Sequence, residues 1–234
     1  MSLEQIYNLQ PEQSELLYSD SIENQRIEVR EWTHYRWLHI AGESVQALID
    51  LNDAHSVVLP NIRTLLLTLL LQPDAKKLLN LGLGGASIER YLRKYHSSIE
   101  VKSIEANAKV IELAKEYFKL PPNSEIINST AADYFAKNRT VYDIILCDIF
   151  EDEQQPACLY DQAFYKNLDK SLSKTGSLAI NLLPESEEDV IQLILPMKGY
   201  FDHISLLEID DHTNVVIFAC RQSMPDPFDF EDVA

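Results

Sequence analysis

The sequence predicts an α/β fold: a mostly parallel sheet covered by helices, preceded by a small N-terminal β-sheet and closed by an antiparallel hairpin. Three features carry that reading. From Leu78 onward, apolar strand-sized runs alternate with helix-sized segments, and strands apolar on both faces belong to sheets covered on both sides. The last two strand segments, 203–209 and 214–220, are separated only by Asp210, Asp211, His212 and Thr213, too few residues for a parallel crossover, so they pair as a hairpin. A length of 234 residues with 46% hydrophobic positions supplies a core that needs no metal or disulfide staple.

Residues 1 to about 20 carry few periodic apolar positions and are expected to frame the fold. Alternating runs over 26–32 and 35–40, split by Thr33 and His34 and followed by 44–48, predict a small antiparallel sheet of two or three strands. Residues 60–72 predict a leucine-rich helix, opened by Pro60 and stopped by Pro73. A strand over 78–81 then enters a glycine turn and a helix over 87–95. Strand 101–104 ends at Glu105 before helix 107–118, and 125–128 is a short strand. Strand 142–147 ends at Asp148, helix 161–173 leads to strand 177–182, and helix 187–198 precedes the hairpin. The expected units are an N-terminal segment (1–58), a nucleoside-binding catalytic domain (59–222) and an acidic, proline-broken tail (223–234). A parallel sheet ending in a hairpin points to a Rossmann-like methyltransferase fold more than to a dehydrogenase.

Twenty basic against thirty-seven acidic residues leave a formal charge of -17, a field that repels phosphate backbones and anionic headgroups. Neither nucleic acid nor membrane is an expected partner. The apolar run 65–71, interrupted by Thr68, falls short of the roughly 20 residues that cross a bilayer. Cys147, Cys158 and Cys220 are an odd number without a CxxC pair, which argues against disulfides and a thiolate zinc site and for a reducing cytoplasm. The polar, acidic start lacks the basic-then-apolar pattern of a secretory signal. His34 and His39 face opposite sides of a strand region, and no histidine pair has ligand spacing on a helix, so no metal is expected. Trp32, Tyr35 and Trp37 read as packing or a dimer contact.

The chemistry concentrates at two strand ends. Three of six glycines, Gly82, Gly84 and Gly85, fall between a strand and a helix, where a turn of positive φ without side chains lets backbone and helix N-terminus approach a nucleotide. Twenty residues past Gly85 stands Glu105, placed to accept both ribose hydroxyls. A dinucleotide fingerprint wants a third glycine where Ser87 stands, which weakens NAD, whereas an S-adenosylmethionine site needs no pyrophosphate cradle. The other strand end carries Asp148, Glu151, Asp152 and Glu153, four carboxylates in six residues at the carboxyl edge of the sheet. They form either a cation pocket or a solvated acidic loop, with Asp148 directed into the cleft.

The run 142–148, continued by Pro156-Ala157, Leu159-Tyr160 and Phe164-Tyr165, resembles the polyamine aminopropyltransferases, the spermidine synthase family. Ser21, Gln25, Val29, Glu31, Gly42 and Gln46 look like that family's N-terminal β-hairpin segment. The resemblance implies that Glu105, with Gly82, Gly84, Gly85, Ala106 and Ala131, holds decarboxylated S-adenosylmethionine. It further implies Asp148 as catalytic acid-base residue, Glu151 helping to hold the amine, Gln46, Tyr165 and Asn181 toward substrate, and a homodimer. Three positions depart from the family: Gly85 replaces an aspartate, Thr130 replaces an adenine-binding aspartate, and Asn181 replaces a glutamine. Asp133, one turn beyond Thr130, would serve the adenine instead. A carboxylate at 85 would repel the carboxylate of intact S-adenosylmethionine, so Gly85 removes a filter against the methyl donor. Three readings follow: an aminopropyltransferase, a small-molecule methyltransferase, and a non-catalytic nucleoside-binding relative.

Overall fold

The computed structural model describes residues 13–22, 25–40, 45–150, 155–210 and 212–222. Gly42, Glu151 to Glu153 and the acidic tail lie outside the described residues.

The N-terminal sheet is an antiparallel meander of β1 (Glu15–Ile22), β2 (Gln25–Trp32), β3 (Tyr35–Ile40) and β4 (Val45–Asp50). Its strands alternate, because successive side chains of a strand point to opposite faces. Ile27, Val29, Leu38, Ala47 and Ile49 form one buried cluster, while Trp37 and Leu48 join another with Leu65, Leu78 and Ile144. The small sheet is thus covered on both faces. Trp32 and Tyr35 pack against the second cluster, so the aromatic group belongs to this chain's own core. Strand β1 was not expected from the sequence. It has no clean alternation, and it forms by pairing with β2 across a register shift between Leu16 and Tyr18.

The expected leucine-rich helix is two short ones, α1 (Pro60–Leu66) and α2 (Thr68–Leu71). At the junction the Leu67 amide bonds back to the Thr64 carbonyl and the Thr68 hydroxyl donates to the Leu65 carbonyl at 2.7 Å. A threonine that competes for a helix carbonyl in this way tightens and bends the backbone.

The large sheet alternates with helices: β5 (Lys77–Leu81), α3 (Ser87–Tyr95), β6 (Glu100–Glu105), α4 (Ala108–Tyr117), β7 (Glu125–Asn128), α5 (Ala131–Lys137) and β8 (Tyr142–Cys147). A 3₁₀ turn (Ala157–Tyr160), α6 (Gln162–Ser171), β9 (Leu172–Leu182), α7 (Glu187–Ile194), a second 3₁₀ turn (Leu195–Met197), β10 (His203–Glu208) and β11 (Val215–Cys220) complete it. The strand order is β10-β11-β9-β8-β5-β6-β7. Strands β5 to β9 are parallel, and β11 lies antiparallel between β9 and β10. The hairpin therefore inserts its last strand into the sheet. Helix α5 escaped the sequence reading because it is only seven residues long; Tyr134 and Phe135 bury it and Thr130 caps it. The expected helix 187–198 passes from α-helix to 3₁₀ turn at Leu195, just before Pro196.

Strand order reverses at β5, whose neighbours are β6 on one side and β8 on the other. Connections leave in opposite directions there, and the gap they open at the carboxyl edge is where open α/β sheets hold ligands. Among the described residues, no helix is long and apolar enough to cross a membrane.

Candidate active site

The glycine turn leaves β5 at this reversal point. Gly82 has φ +94° and Gly84 φ +49°, both in the left-handed region, and a Cβ on Gly82 would overlap the Asp148 carbonyl oxygen. The ends of β5 and β8 can meet only because that side chain is missing. Gly85 serves packing instead: a Cβ there would lie 2.7 Å from Ala47 Cβ and 3.0 Å from Phe118 Cδ1. Strand β4 and the end of α4 have closed over position 85, so an acidic side chain cannot enter without moving Ala47. Arg90, 1% exposed, anchors the turn by donating to the Gly85 carbonyl, to the Phe118 carbonyl at 2.6 Å and to the Ala54 carbonyl at 2.5 Å. Sequence reasoning missed Arg90. The available signal was a Glu89-Arg90 pair between the core residues Ile88 and Leu92.

Glu105 ends β6 half-buried beside the turn. One carboxylate oxygen accepts the Leu83 amide at 3.0 Å and the other the Asn107 amide at 2.9 Å. Burial pushes its pKa up, opposed by those N–H groups and those of Gly84 and Ala106. The acid is thereby fixed between the glycine turn and the N-terminus of α4, with lone pairs left on both oxygens. Ala106 is exposed on the cleft, its carbonyl held at 2.9 Å by the Asn128 amide, and Ala131 lines the same wall. Asp133 departs from the sequence expectation. It is exposed and outside the cleft lining, receiving the Thr130 hydroxyl at 2.9 Å and returning its own amide at 3.1 Å. That reciprocal cap of α5 ties one of the two carboxylate oxygens, Oδ2.

Asp148 follows β8 directly, and its amide bonds the Leu81 carbonyl at 2.8 Å. Its Oδ1 accepts the Asn181 side-chain amide at 2.7 Å. Burial is the main cause that lifts its pKa to about 6; the Glu105 charge adds to the rise and the Asn181 bond opposes it. Asn181 is 0% exposed and forms part of the cleft wall beside Asp148. Tyr165 also departs from expectation: it is fully buried, with its hydroxyl on the Leu159 carbonyl at 2.9 Å, and it holds the 3₁₀ turn from behind. Gln46 lines the cleft from β4. Glu151 lies outside the described residues. The cleft, about 1350 Å³, runs from Gln46 past Glu105 and Asp148 to His212, Thr213 and Asn214 of the hairpin loop.

A site built on a reversal point, a tight glycine turn and a tethered acid belongs to the Rossmann-like enzymes of the methyltransferase type. Solved structures share this fold. A probable spermidine synthase from Corynebacterium glutamicum superposes with a TM-score of 0.77 over 90% of this chain and 81% of that one, at 16% identity. Human methyltransferase-like protein 13 in complex with SAH gives 0.63 over 73% and 84%, at 20% identity. The spermine/spermidine synthase domain matches residues 66–195. A polyamine aminopropyltransferase of Chromobacterium violaceum is 30% identical over 84% of this chain and 77% of its own length. The chain belongs to the spermine/spermidine synthase family and is a transferase.

Proposed function

We propose that the protein moves an aminopropyl group from decarboxylated S-adenosylmethionine to a polyamine acceptor, with Asp148 as the base. The observation that carries this reading is a cleft-lining carboxyl group with one oxygen tied to Asn181, raised by burial to about 6 and near enough to Glu105, in the same cleft, to feel its charge.

Glu105 receives the ribose hydroxyls, beside the Gly82 to Gly85 turn and Ala106, and directs the sulfonium toward Asp148. The amine nitrogen attacks the carbon next to sulfur. The new C–N bond forms as the C–S bond breaks, its electron pair stays on sulfur, and the thioether nucleoside leaves. The nitrogen sheds one proton to the Asp148 carboxylate. An alkylamine has a pKa of about 10, so a base lifted to about 6 narrows the gap for proton transfer while staying ionised at neutral pH. The polyamine's remaining positive charge is drawn by the acidic run that includes Glu151. Gln46 borders the acceptor end of the cleft.

A second reading, methyl transfer from intact S-adenosylmethionine to a small molecule, is favoured by Gly85, which puts no carboxylate near the donor's own carboxylate. A homodimer in a reducing cytoplasm, without nucleic acid or membrane partners, completes the proposal; three free thiols and the charge of -17 support the compartment and the exclusions. Light scattering tests the dimer.

Asp148→Asn tests the base, because it keeps shape and the Asn181 contact but cannot take a proton. The turnover rate should fall by about 10²- to 10⁴-fold with little change in nucleoside affinity. Unchanged turnover would remove Asp148 from the chemistry.

A further inference from the structure

We propose that Asn214, acting through Asn181, is a positioning residue that fixes Asp148 so that Oδ2 is the oxygen that takes the proton. The inference rests on the reading of Asp148 as base and deepens it.

The geometry is a chain of three side chains crossing from β8 to β9 to the end of the hairpin loop. Asn181 Nδ2 donates to Asp148 Oδ1 at 2.7 Å, Asn214 Nδ2 donates to Asn181 Oδ1 at 3.2 Å, and Asn214 Nδ2 also faces the Leu182 carbonyl at 3.4 Å. The pairing of Val215 with Leu182 and of Val216 with Asn181 sets that register, so the insertion of β11 into the sheet delivers Asn214 to this place.

Which end of each amide faces which neighbour follows from chemistry. A backbone carbonyl only accepts, so the Asn214 atom facing Leu182 is its NH₂ group. The same NH₂ faces Asn181, so the Asn181 atom there is its carbonyl oxygen. Asn181 therefore presents its NH₂ to Asp148. An N–H donor held on Oδ1 favours the ionised carboxylate and draws electron density from that oxygen, which leaves Oδ2 the more basic of the two. Protonation goes to Oδ2. Without Asn214, the Asn181 amide is free to turn over and present its oxygen to Asp148, which then keeps its proton.

Charged groups around Asp148 come from several elements: Glu105 on β6 acts on it directly, Lys109 and Glu112 on α4 line the same cleft, and His212 lines it from the hairpin loop. Asn214→Ala leaves all of these as they are, whereas Asn214→Asp adds one more carboxylate beyond Asn181, whose field also raises Asp148.

The test is the pH profile of kcat/KM for Asn214→Asp, near the wild-type shape but with the donor replaced by an acceptor. Its carboxylate draws the Asn181 NH₂ to itself and turns the Asn181 oxygen toward Asp148. The acid limb should move up by about one to two pH units, the worth of one hydrogen bond to a charged group. Activity should drop about tenfold or more near pH 6 and recover to within a few fold near pH 9, with KM for the nucleoside donor unchanged. A uniform loss at every pH, or a profile superimposable on wild type, would overturn the proposal. Asn214→Ala, measured alongside, removes the donor without adding a charge and should shift the limb in the same direction by less; an unmoved limb in Asn214→Ala would make the shift in Asn214→Asp the field of the new carboxylate and would overturn the proposal. Asp148→Asn measured alongside separates the two claims. If it remains fully active, the base assignment fails; if it is inactive while both Asn214 variants keep the wild-type limb, only the positioning role fails.

Discussion

Asp148 and Glu89 are both carboxyl groups pushed above their ordinary range by burial, yet their surroundings have little in common. Glu89, 4% exposed in the first turn of α3, accepts the Asn80 side-chain amide at 2.8 Å and the Ser103 hydroxyl at 2.5 Å on a single oxygen. Its other oxygen and the Asn80 side-chain oxygen have no partner among the described residues. A proton on that second oxygen turns an unpaired acceptor into a donor. Asp148 instead has one oxygen tied and borders a cleft about 1350 Å³ in size. Burial alone therefore does not make a base. The open face does, and Glu89 reads as a structural group beneath the turn, since its partners Asn80 and Ser103 stand two positions before Gly82 on β5 and two before Glu105 on β6.

Removing each group separates the two kinds of role. Glu89→Ala leaves Asn80 and Ser103 without their shared partner and opens a void, so unfolding stability should fall by about 2 to 4 kcal/mol. Donor and acceptor KM of the folded fraction should stay near wild type, which denaturant titration and steady-state kinetics check together; a KM that rises with intact stability would place Glu89 with the site. Glu105→Ala should do the reverse and weaken nucleoside binding by about 1.5 to 3 kcal/mol for each bond fully lost, less what water restores. Calorimetry showing wild-type affinity in a folded variant refutes the ribose role.

The smallest effect is the most specific. Glu89→Gln keeps size and donor-acceptor pattern but cannot ionise. Because the folded pKa of Glu89 is raised above its unfolded value of 4.5, its contribution is complete below that value and is lost as pH rises through the folded pKa. The two proteins should melt within a few degrees of each other at about pH 4, and the advantage of Glu89→Gln should grow as pH rises toward neutrality. A gap that does not change with pH would mean that Glu89 is charged in the folded protein.

The parallel core was legible because its strands are apolar on both faces and end at turn residues; Leu78 to Leu81 running into Gly82 is enough to place the glycine turn at a strand end. The hairpin was legible from the four residues between its strands. Its insertion was not, since strand order depends on which edges remain open after the other strands pair. Strand β1 stayed hidden because its residues lack alternation. Asp148 stood out as a candidate because it terminates an apolar run, and Glu105 because it stands at a strand end twenty residues past Gly85; both line the cleft. Tyr165 and Asp133 stand outside the cleft lining because residue identity does not fix the direction of a side chain: one is turned into the core, and the other joins a helix cap. The roles of Arg90, Asn214 and Glu89 depend on contacts between residues far apart in sequence; the Glu89-Arg90 pair among core residues marks two buried charges but not what they hold.

Product identity tests the central claim most directly. The protein should be supplied with decarboxylated S-adenosylmethionine and a panel of amines, with intact S-adenosylmethionine as a parallel donor. The account predicts methylthioadenosine together with an aminopropylated amine, only from the decarboxylated donor. S-adenosylhomocysteine formed from the intact donor, with no turnover of the decarboxylated one, would contradict it and place the enzyme among the methyltransferases.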